Sequence, residues 1–238
     1  MKSSRADSIG RVYERRFSGV DAERKDDIWR EIARYLQRYI GDEAIVMDVA
    51  CDRGHFIRHI VARERWAADL RDVSSFLPPD VRFVQSDGVS LASHVPVNHF
   101  DAIFMSNYLE HLDSGDLVIE QFRTLRRLLK PGGRVIVLQP NIRLVGDAYW
   151  DFIDHKVPLT ERSLSEAAEL AGFRTKTLIT RFLPYTTKSR FPQHPLLVRA
   201  YLAFRPAWLV LGRQSLYVGE APKALDAALG DVQGSERP

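Results

Sequence analysis

The sequence predicts an α/β fold in which helices cover both faces of a seven-stranded, doubly wound sheet, mostly parallel with an antiparallel last strand. Short apolar runs rich in β-branched residues alternate along the chain with segments of helical spacing. The runs are continuously apolar, which is typical of strands covered on both sides. The last two predicted strands, 173–180 and 215–219, flank a segment too long for a tight turn, so we expect an excursion between paired antiparallel strands.

The remaining elements follow from local patterns. Apolar residues four apart, from Ile28 to Ile40, predict a first helix that packs on the sheet. A second helix is expected from about residue 55, and a third ends at 131–133, where proline and two glycines follow. A fourth begins at Thr160 and stops at Gly172. The strands predicted before the final pair are 44–48, 65–69, 81–85, 100–105 and 134–138.

The composition indicates one globular domain. A chain of 238 residues, 45% of them hydrophobic, can bury a full core. We assign residues 41–222 to this domain, with inserts at about 141–160 and 183–213, after an N-terminal helical cap at 1–40 and before a flexible tail at 223–238.

Charge and cysteine content bear on partners and compartment. The chain has 34 basic and 31 acidic residues, so its pI of about 9.0 reflects near-cancellation of charge and predicts no nucleic-acid partner. The single cysteine fits a reducing compartment. The first residues lack the apolar stretch of a signal peptide, so we expect a cytoplasmic protein.

Two carboxylates stand where predicted strands end. The first strand ends at Asp48 and passes through a turn that closes at Gly54 into the expected helix. Backbone N–H groups of such a turn favour a nucleotide or an amino-acid carboxylate. The second strand ends at Asp69, which is placed to accept hydrogen bonds from a ribose diol.

Together with the stretches 84–88, 100–107 and 129–135, these motifs resemble those of class I S-adenosylmethionine-dependent methyltransferases, which have a Rossmann-like fold. The resemblance covers roughly residues 40–220 and implies S-adenosylmethionine as cofactor. The family's first loop usually carries three alternating glycines, but here Ala50 and Asp52 take two of those places. The cofactor-binding residues that the resemblance implies are Asp48, Ala50, Cys51, Gly54, Phe56, Asp69, Leu70, Asp87, Gly88, Ser106 and Asn107.

Two histidines are candidates for the base that takes a proton from the acceptor. His111 follows the fourth strand, where it either contacts substrate or braces the loop; His155 lies in the aromatic insert, where it either acts as the base or is a surface residue. The pattern assigns no metal ligands. The predicted substrate-binding residues are Tyr13, Asn141, Tyr149, Trp150 and Asp154.

The segment 190–213 is apolar with interleaved arginines. We interpret it as a lid, a homodimer contact or an amphipathic surface element that lies on the inner face of a membrane. With Asp154 and His155, it resembles methyltransferases encoded with bacterial surface-polysaccharide assembly. That resemblance favours O-methylation of a sugar or lipid-linked glycan.

Three other functions were weighed. The first is C-methylation of a quinone or lipid precursor, and the second is a non-catalytic module that keeps the fold. The third, a nicotinamide dehydrogenase, is disfavoured because the first loop lacks the glycine fingerprint.

Overall fold

The computed structural model describes residues 22–185 and 194–223. Tyr13, most of the predicted cap, part of the predicted excursion and almost all of the predicted tail lie outside the described residues. The sheet has seven strands in the order β3-β2-β1-β4-β5-β7-β6. The strands are β1 (Ile45–Val49), β2 (Glu64–Asp69), β3 (Val81–Gln85), β4 (Phe100–Ser106), β5 (Leu129–Pro140), β6 (Arg174–Leu183) and β7 (Gln214–Glu220).

The pairing confirms the predicted fold class. Strands β1 to β5 pair in parallel, whereas β7 lies between β5 and β6 and is antiparallel to both. All five residues of β1 are buried, which accounts for its continuous apolar pattern. The strand order reverses between β1 and β4, and ligands of open α/β sheets bind at the carboxyl ends of strands beside such a reversal.

Helices cover both faces of the sheet, and each face has its own apolar core. One core contains Phe122 and Leu164; the other contains Leu36, Leu202 and Trp208. The helices of the described residues are α1 (Ala22–Leu36), α2 (Gly115–Leu128), α3 (Ile142–Val145), α4 (Glu161–Leu170), α5 (Pro195–Ala203) and α6 (Pro206–Leu211).

The prediction of a helix from about residue 55 is wrong. The chain between β1 and β2 forms consecutive turns, in which the Gly54 N–H donates to Cys51 O at 2.8 Å and the His59 N–H to Phe56 O at 3.0 Å. Since β2 already begins at Glu64, the connection is short, and its apolar side chains pack on the sheet from turns. The helical spacing therefore reflected burial alone.

The fifth strand is longer than predicted. It begins at Leu129, which pairs with Phe100 before the register shifts, so the expected breaker at Pro131 lies within the strand. Gly132 adopts a positive φ of 79° and donates its N–H to Ala221 O at 3.0 Å. The bulge absorbs the proline at the start of the strand.

The predicted excursion is present between β6 and β7 and contains α5 and α6. The Tyr201 hydroxyl donates to Phe182 O at 2.6 Å, and the Trp208 indole N–H donates to Tyr201 O at 2.8 Å. The first bond fixes α5 to β6 and the second fixes α6 to α5, while Leu209 and Val210 remain exposed. Among residues 22–185 and 194–223, no helix is both long and apolar enough to cross a membrane.

The start of α4 gives a test of the fold. The Thr160 hydroxyl accepts from the Ser163 N–H at 3.1 Å, and the Ser163 hydroxyl accepts from the Thr160 N–H at 2.9 Å. We expect Thr160→Ala to lower the free energy of unfolding by about 1 kcal/mol, measured by urea denaturation, because it removes this capping box. Glu166→Ala, an exposed change on the same helix, should stay within about 0.5 kcal/mol of wild type. Equal losses in both variants would contradict the capping role.

Candidate active site

The loop after β1 contains three residues in the left-handed backbone conformation. Ala50, Asp52 and Gly54 have positive φ angles of 57°, 49° and 70°, respectively. The family usually has glycines at these three positions. The backbone here adopts the conformation that glycine favours, although two of the positions carry side chains. A non-glycine residue in this region costs about 1–2 kcal/mol, and such strain persists where surrounding contacts hold it.

The second strand ends at Asp69, whose carboxylate is fully engaged. Oδ1 accepts from the Arg71 backbone N–H at 2.9 Å and from Arg71 Nε at 3.0 Å. Oδ2 accepts from the Asp52 backbone N–H at 3.0 Å and from Arg71 Nη2 at 3.2 Å. Arg71 Nη2 also donates to Asp52 Oδ1 at 2.9 Å. The guanidinium thus joins the loop after β1 to the end of β2.

The neighbouring acid, Asp48, is buried beside Asp69. Its carboxyl accepts the Ile57 backbone N–H. Burial raises the pKa of Asp48 well above its usual range, and the negative charges of Asp69 and Asp52 raise it further. Burial, followed by the charge of Asp48, likewise raises the pKa of the Cys51 thiol. Both groups therefore favour their protonated, neutral forms, in which they can form hydrogen bonds without adding a charge to the site.

Two further strand ends meet the same sheet edge. After β3, Asp87 Oδ1 accepts the Ser90 N–H at 2.8 Å. A Cβ on Gly88 would lie 2.5 Å from Gln121 Oε1 and 2.6 Å from the Tyr108 hydroxyl oxygen, so a larger residue would have to displace these two side chains. After β4, Asn107 Nδ2 donates to Ser106 Oγ at 2.9 Å. Since β3, β2, β1 and β4 are neighbours, the polar groups that follow them are brought together at one edge.

Two residues predicted to contact the cofactor, Phe56 and Leu70, lie in different surroundings. The Phe56 side chain is 2% exposed and stacks on Phe104 with ring centroids 3.7 Å apart. Its ring therefore belongs to the core, because the turns after β1 direct it onto the sheet. Leu70 is partly exposed after β2, and its carbonyl accepts from Gln85 Nε2 at 3.2 Å.

Helix α1 docks on the loop through one carboxylate. Asp26 Oδ1 lies 3.3 Å from His55 Nδ1 and 3.0 Å from Arg58 Nη1, and Oδ2 lies 3.0 Å from His59 Nε2. Burial raises the pKa of Asp26, but the His55 hydrogen bond and the charges of His59 and Arg58 outweigh it and lower the pKa overall. Burial, aided by the charge of Lys25, lowers the pKa of His55.

On the other side of β4, the two predicted histidines meet. The ring centroids of His111 and His155 are 5.1 Å apart. His111 Nδ1 lies 3.0 Å from the carbonyl oxygen of Asp154, so it carries the proton of that bond, and its Nε2 faces Glu110 Oε1 at 4.0 Å. Tyr149 and Phe152 pack on the His155 ring at centroid distances of 4.6 and 5.0 Å.

Glu110 connects these residues and was not predicted as a site residue. Its carbonyl oxygen accepts the backbone N–H groups of Lys156 and Val157 at 2.7 and 3.1 Å, which fixes the insert to the loop after β4. Its carboxyl accepts from Gln139 Nε2 at 3.0 Å. Burial raises the pKa of Glu110, although the charge of His111 opposes the shift. The available signal was its position directly before His111, in the loop that follows the apolar strand β4.

Predicted substrate contacts on this side have other roles. Asn141 is buried, and its amide donates to Glu161 Oε2 at 2.7 Å and to Ser215 Oγ at 3.1 Å. Tyr149 is also buried, and its hydroxyl donates to the Val157 carbonyl. Both side chains are buried, and their hydrogen bonds hold the insert. Trp150 is 54% exposed and remains available.

The sequence has relatives of known class. Residues 20–178 match the family model described as a methyltransferase domain. The ubiquinone/menaquinone biosynthesis C-methyltransferase UbiE of Pseudomonas paraeruginosa is 34% identical over 93 residues, which make up 38% of this chain and 34% of that protein. The protein of the same name from Azotobacter vinelandii is 33% identical over 93 residues, 38% of this chain and 35% of that protein. The matched segment spans about a third of the length of these curated relatives.

Solved structures share the fold. An S-adenosylmethionine-dependent methyltransferase from Archaeoglobus fulgidus superposes with a TM-score of 0.59 at 19% identity, covering 88% of this chain and 98% of that chain. A chain in the complex between the Haloferax volcanii Trm112 methyltransferase activator and a putative methyltransferase gives a TM-score of 0.63 at 16% identity, covering 87% and 96%. Similarity at this level of identity concerns the fold.

The left-handed loop gives a paired test. Ala50→Gly relieves a positive φ, so we expect the free energy of unfolding to stay level or rise by up to about 1 kcal/mol. Ala62→Gly, at a partly buried alanine with ordinary φ in the same connection, should lower it by about 0.5–1 kcal/mol. Urea denaturation measures both. A loss at Ala50 as large as that at Ala62 would contradict the loop geometry.

His55 should make stability depend on pH. Its pKa is lowered in the fold, so the stability contributed by neutral His55 is complete above its ordinary pKa of 6.5 and falls as the pH drops from there. The contribution of Asp26, whose pKa is also lowered, is lost only below its ordinary value of 3.8. Between about pH 7.5 and 5, we therefore expect urea denaturation to show a shallower loss of stability in His55→Gln than in wild type. Identical slopes would contradict the assignment.

Proposed function

The chain belongs to the methyltransferase domain family, and on that premise we propose that it is an S-adenosylmethionine-dependent methyltransferase whose acceptor is a hydroxyl group of a sugar or lipid-linked glycan. The observation that carries the cofactor assignment is the pair of carboxyl groups, Asp48 and Asp69, side by side next to a loop with left-handed residues. That arrangement presents backbone N–H groups and acceptors to a nucleoside at the strand-order reversal.

The cofactor side would be built from four strand ends. When bound, S-adenosylmethionine supplies the methyl group of its sulfonium, which passes to the acceptor oxygen by in-line displacement. Asp69 would accept hydrogen bonds from the ribose hydroxyls, and Asp87 would hold the adenine amino group. The loop 48–54 orients the amino-acid end, and Ser106 and Asn107 line the path between donor and acceptor. These residues would position the methyl donor and the acceptor in line, which is the main requirement of methyl transfer.

Arg71 adds a condition to this assignment. All the acceptor positions that Asp69 uses are taken by Arg71 and the Asp52 N–H, and a ribose diol needs two of them. The Arg71 side chain must therefore turn away from Asp69, where Asp52 still offers it a carboxylate at 2.9 Å. Because Asp52 keeps an ion pair with Arg71, the guanidinium charge stays paired, and the ribose hydroxyls would replace the hydrogen bonds that Asp69 gives up.

The acceptor would meet the cluster of Glu110, His111 and His155. His111 donates Nδ1–H to the Asp154 carbonyl, which leaves Nε2 as the nitrogen able to take up a proton. His155 lies within the same aromatic walls. As the new carbon–oxygen bond forms and the carbon–sulfur bond breaks, the hydroxyl proton passes to this cluster. A flat polar acceptor such as a sugar ring suits the exposed Trp150 nearby.

C-methylation of a quinone precursor is the second candidate. It is favoured by the partial match to relatives named as ubiquinone/menaquinone biosynthesis C-methyltransferases. Such an acceptor has an acidified carbon and needs less help from a base. The two candidates differ in their dependence on histidine: O-methylation should lose activity in His111→Gln, and C-methylation should keep most of it.

The excursion between β6 and β7 would bring the protein to its acceptor. Leu196, Leu209 and Val210 are exposed on α5 and α6, with Arg205 beside them. We place this surface against the inner face of a membrane that carries the lipid-linked acceptor. Flotation with anionic vesicles tests it, and concentration-dependent dimerisation through the same residues would replace the membrane contact.

Two experiments test the proposed function. Calorimetry with S-adenosylmethionine and S-adenosylhomocysteine tests the cofactor: no binding at millimolar ligand would leave a non-catalytic module with the same fold. Transfer of a labelled methyl group to panels of sugar and quinone acceptors tests the reaction class. Methylation of quinones alone would reject the glycan assignment.

Asp69→Ala tests the cofactor site directly. We expect it to weaken S-adenosylhomocysteine binding by about 1–3 kcal/mol, through loss of charge-assisted hydrogen bonds, as measured by calorimetry. Asp72→Ala, an exposed carboxylate in the same connection, should leave affinity unchanged. Circular dichroism establishes that both variants are folded. Unchanged affinity in folded Asp69→Ala would remove the end of β2 from the proposed cofactor site.

A further inference from the structure

We propose that Glu110, His111 and His155 form a binding site for a divalent transition-metal ion. Each residue offers one ligand atom, and the three atoms all lie within 4.8 Å of one another. Two imidazoles and one carboxylate form a donor set that suits Zn²⁺ and other first-row divalent ions. With three protein ligands, a position stays open for a water molecule or a substrate.

The spacing of the ligand atoms fits a single ion after a small contraction. Metal–ligand distances near 2.1 Å place two ligands of a tetrahedral ion about 3.4 Å apart. His111 Nε2 and Glu110 Oε1 are 4.0 Å apart, and the two imidazole centroids are 5.1 Å apart. Movements of about an ångström, within rotamer freedom of the side chains, would complete the coordination.

The residues around the cluster already orient the ligand atoms. His111 donates Nδ1–H to the Asp154 carbonyl at 3.0 Å, so its Nε2 lone pair is directed toward Glu110. Gln139 Nε2 donates to Glu110 Oε2 at 3.0 Å, which leaves Oε1 on the histidine side. Metal-binding histidines usually donate their second N–H to a carbonyl or carboxylate, and metal-binding carboxylates are usually held by a hydrogen bond. His111 and Glu110 meet these two conditions.

Charge and access favour a cation at this position. The Glu110 side chain is 1% exposed, and its Oε1 lies 4.0 Å from His111 Nε2. Asp154 Oδ2 adds a second carboxylate, 3.3 Å from His111 Nδ1. A divalent ion would bind the ionised carboxylate and compensate its charge in this buried position. The His111 side chain is 20% exposed, so the cluster can be reached from solvent.

The proposal that a metal ion binds depends only on these contacts. The proposal that the ion takes part in methyl transfer rests on the proposed function. A bound divalent ion lowers the pKa of a hydroxyl that contacts it, which is what O-methylation asks of this side of the site. With the ion bound, the imidazoles would serve as ligands, and the proton released from the hydroxyl would go to bulk water instead of to the histidine cluster. No sequence motif predicts this metal site, since its ligands come from two separated stretches without a recognised spacing.

The test uses the untagged full-length chain, treated with a chelator and dialysed. Co²⁺ is titrated while ligand-field absorption is recorded, and Zn²⁺ is titrated by calorimetry. We expect one ion per chain, with absorption typical of a tetrahedral or five-coordinate site. Glu110→Gln and His111→Gln should weaken binding by more than the roughly 10- to 100-fold that loss of an outer-shell partner costs. His94→Gln, an exposed histidine elsewhere, should bind as wild type does.

Each outcome decides the proposal. Loss of binding in His111→Gln supports it even if the buried Glu110→Gln variant does not fold, because the His111 side chain is partly exposed. Failure of the folded wild-type chain to bind either Zn²⁺ or Co²⁺ below millimolar concentration overturns it and leaves the cluster as a hydrogen-bonded brace. Equal binding in wild type and both ligand variants overturns it as well. S-adenosylhomocysteine binding by the metal-free chain is measured in parallel, so that failure of the metal site and failure of the cofactor site are told apart.

Discussion

The carboxylate of Asp69 is the interaction on which the cofactor side of the site depends. It accepts the N–H of Asp52, a residue in the left-handed region, and binds the guanidinium that also holds the Asp52 side chain. Lys25 of α1 lies 3.5 Å from the other Asp52 oxygen. A strained residue survives where its surroundings over-determine it, and Asp52 is held from three directions. This explains how an aspartate can stand where glycine is usual without changing the course of the loop.

Much of the fold was predictable because burial on both faces leaves a direct mark on sequence. Strands β1, β3 and β4 were placed within a residue or so, and Thr160 gave a capping signal that the structure confirms. The turns after β1 were mistaken for a helix because side chains facing a sheet from turns can share helical spacing. The start of β5 was missed because its bulge, and not its composition, accommodates Pro131.

The two sides of the site differ in how far sequence reasoning reaches. Acids at strand ends were identified because parallel neighbours place their carboxyl ends together, so that Asp48 and Asp69 had to be close. Asn141 and Tyr149 looked like substrate contacts, but their polar groups hold the insert in place. Glu110 was overlooked because its partners, Gln139 and the backbone of Lys156 and Val157, come from other segments. Contacts between loops follow from the assembled fold and leave no periodic pattern.

The position of β7 has a consequence for biosynthesis. Strand β6 pairs in the sheet with β7, which is made last and lies between β5 and β6. The ribosome therefore synthesises β6 before its pairing partner β7, and α5 and α6 are translated between the two strands. The amino-terminal strands can assemble as they emerge, but the carboxyl-terminal edge closes only when Glu220 has left the exit tunnel. Truncated translation products would expose an unpaired strand edge, the surface that chaperones shield from aggregation.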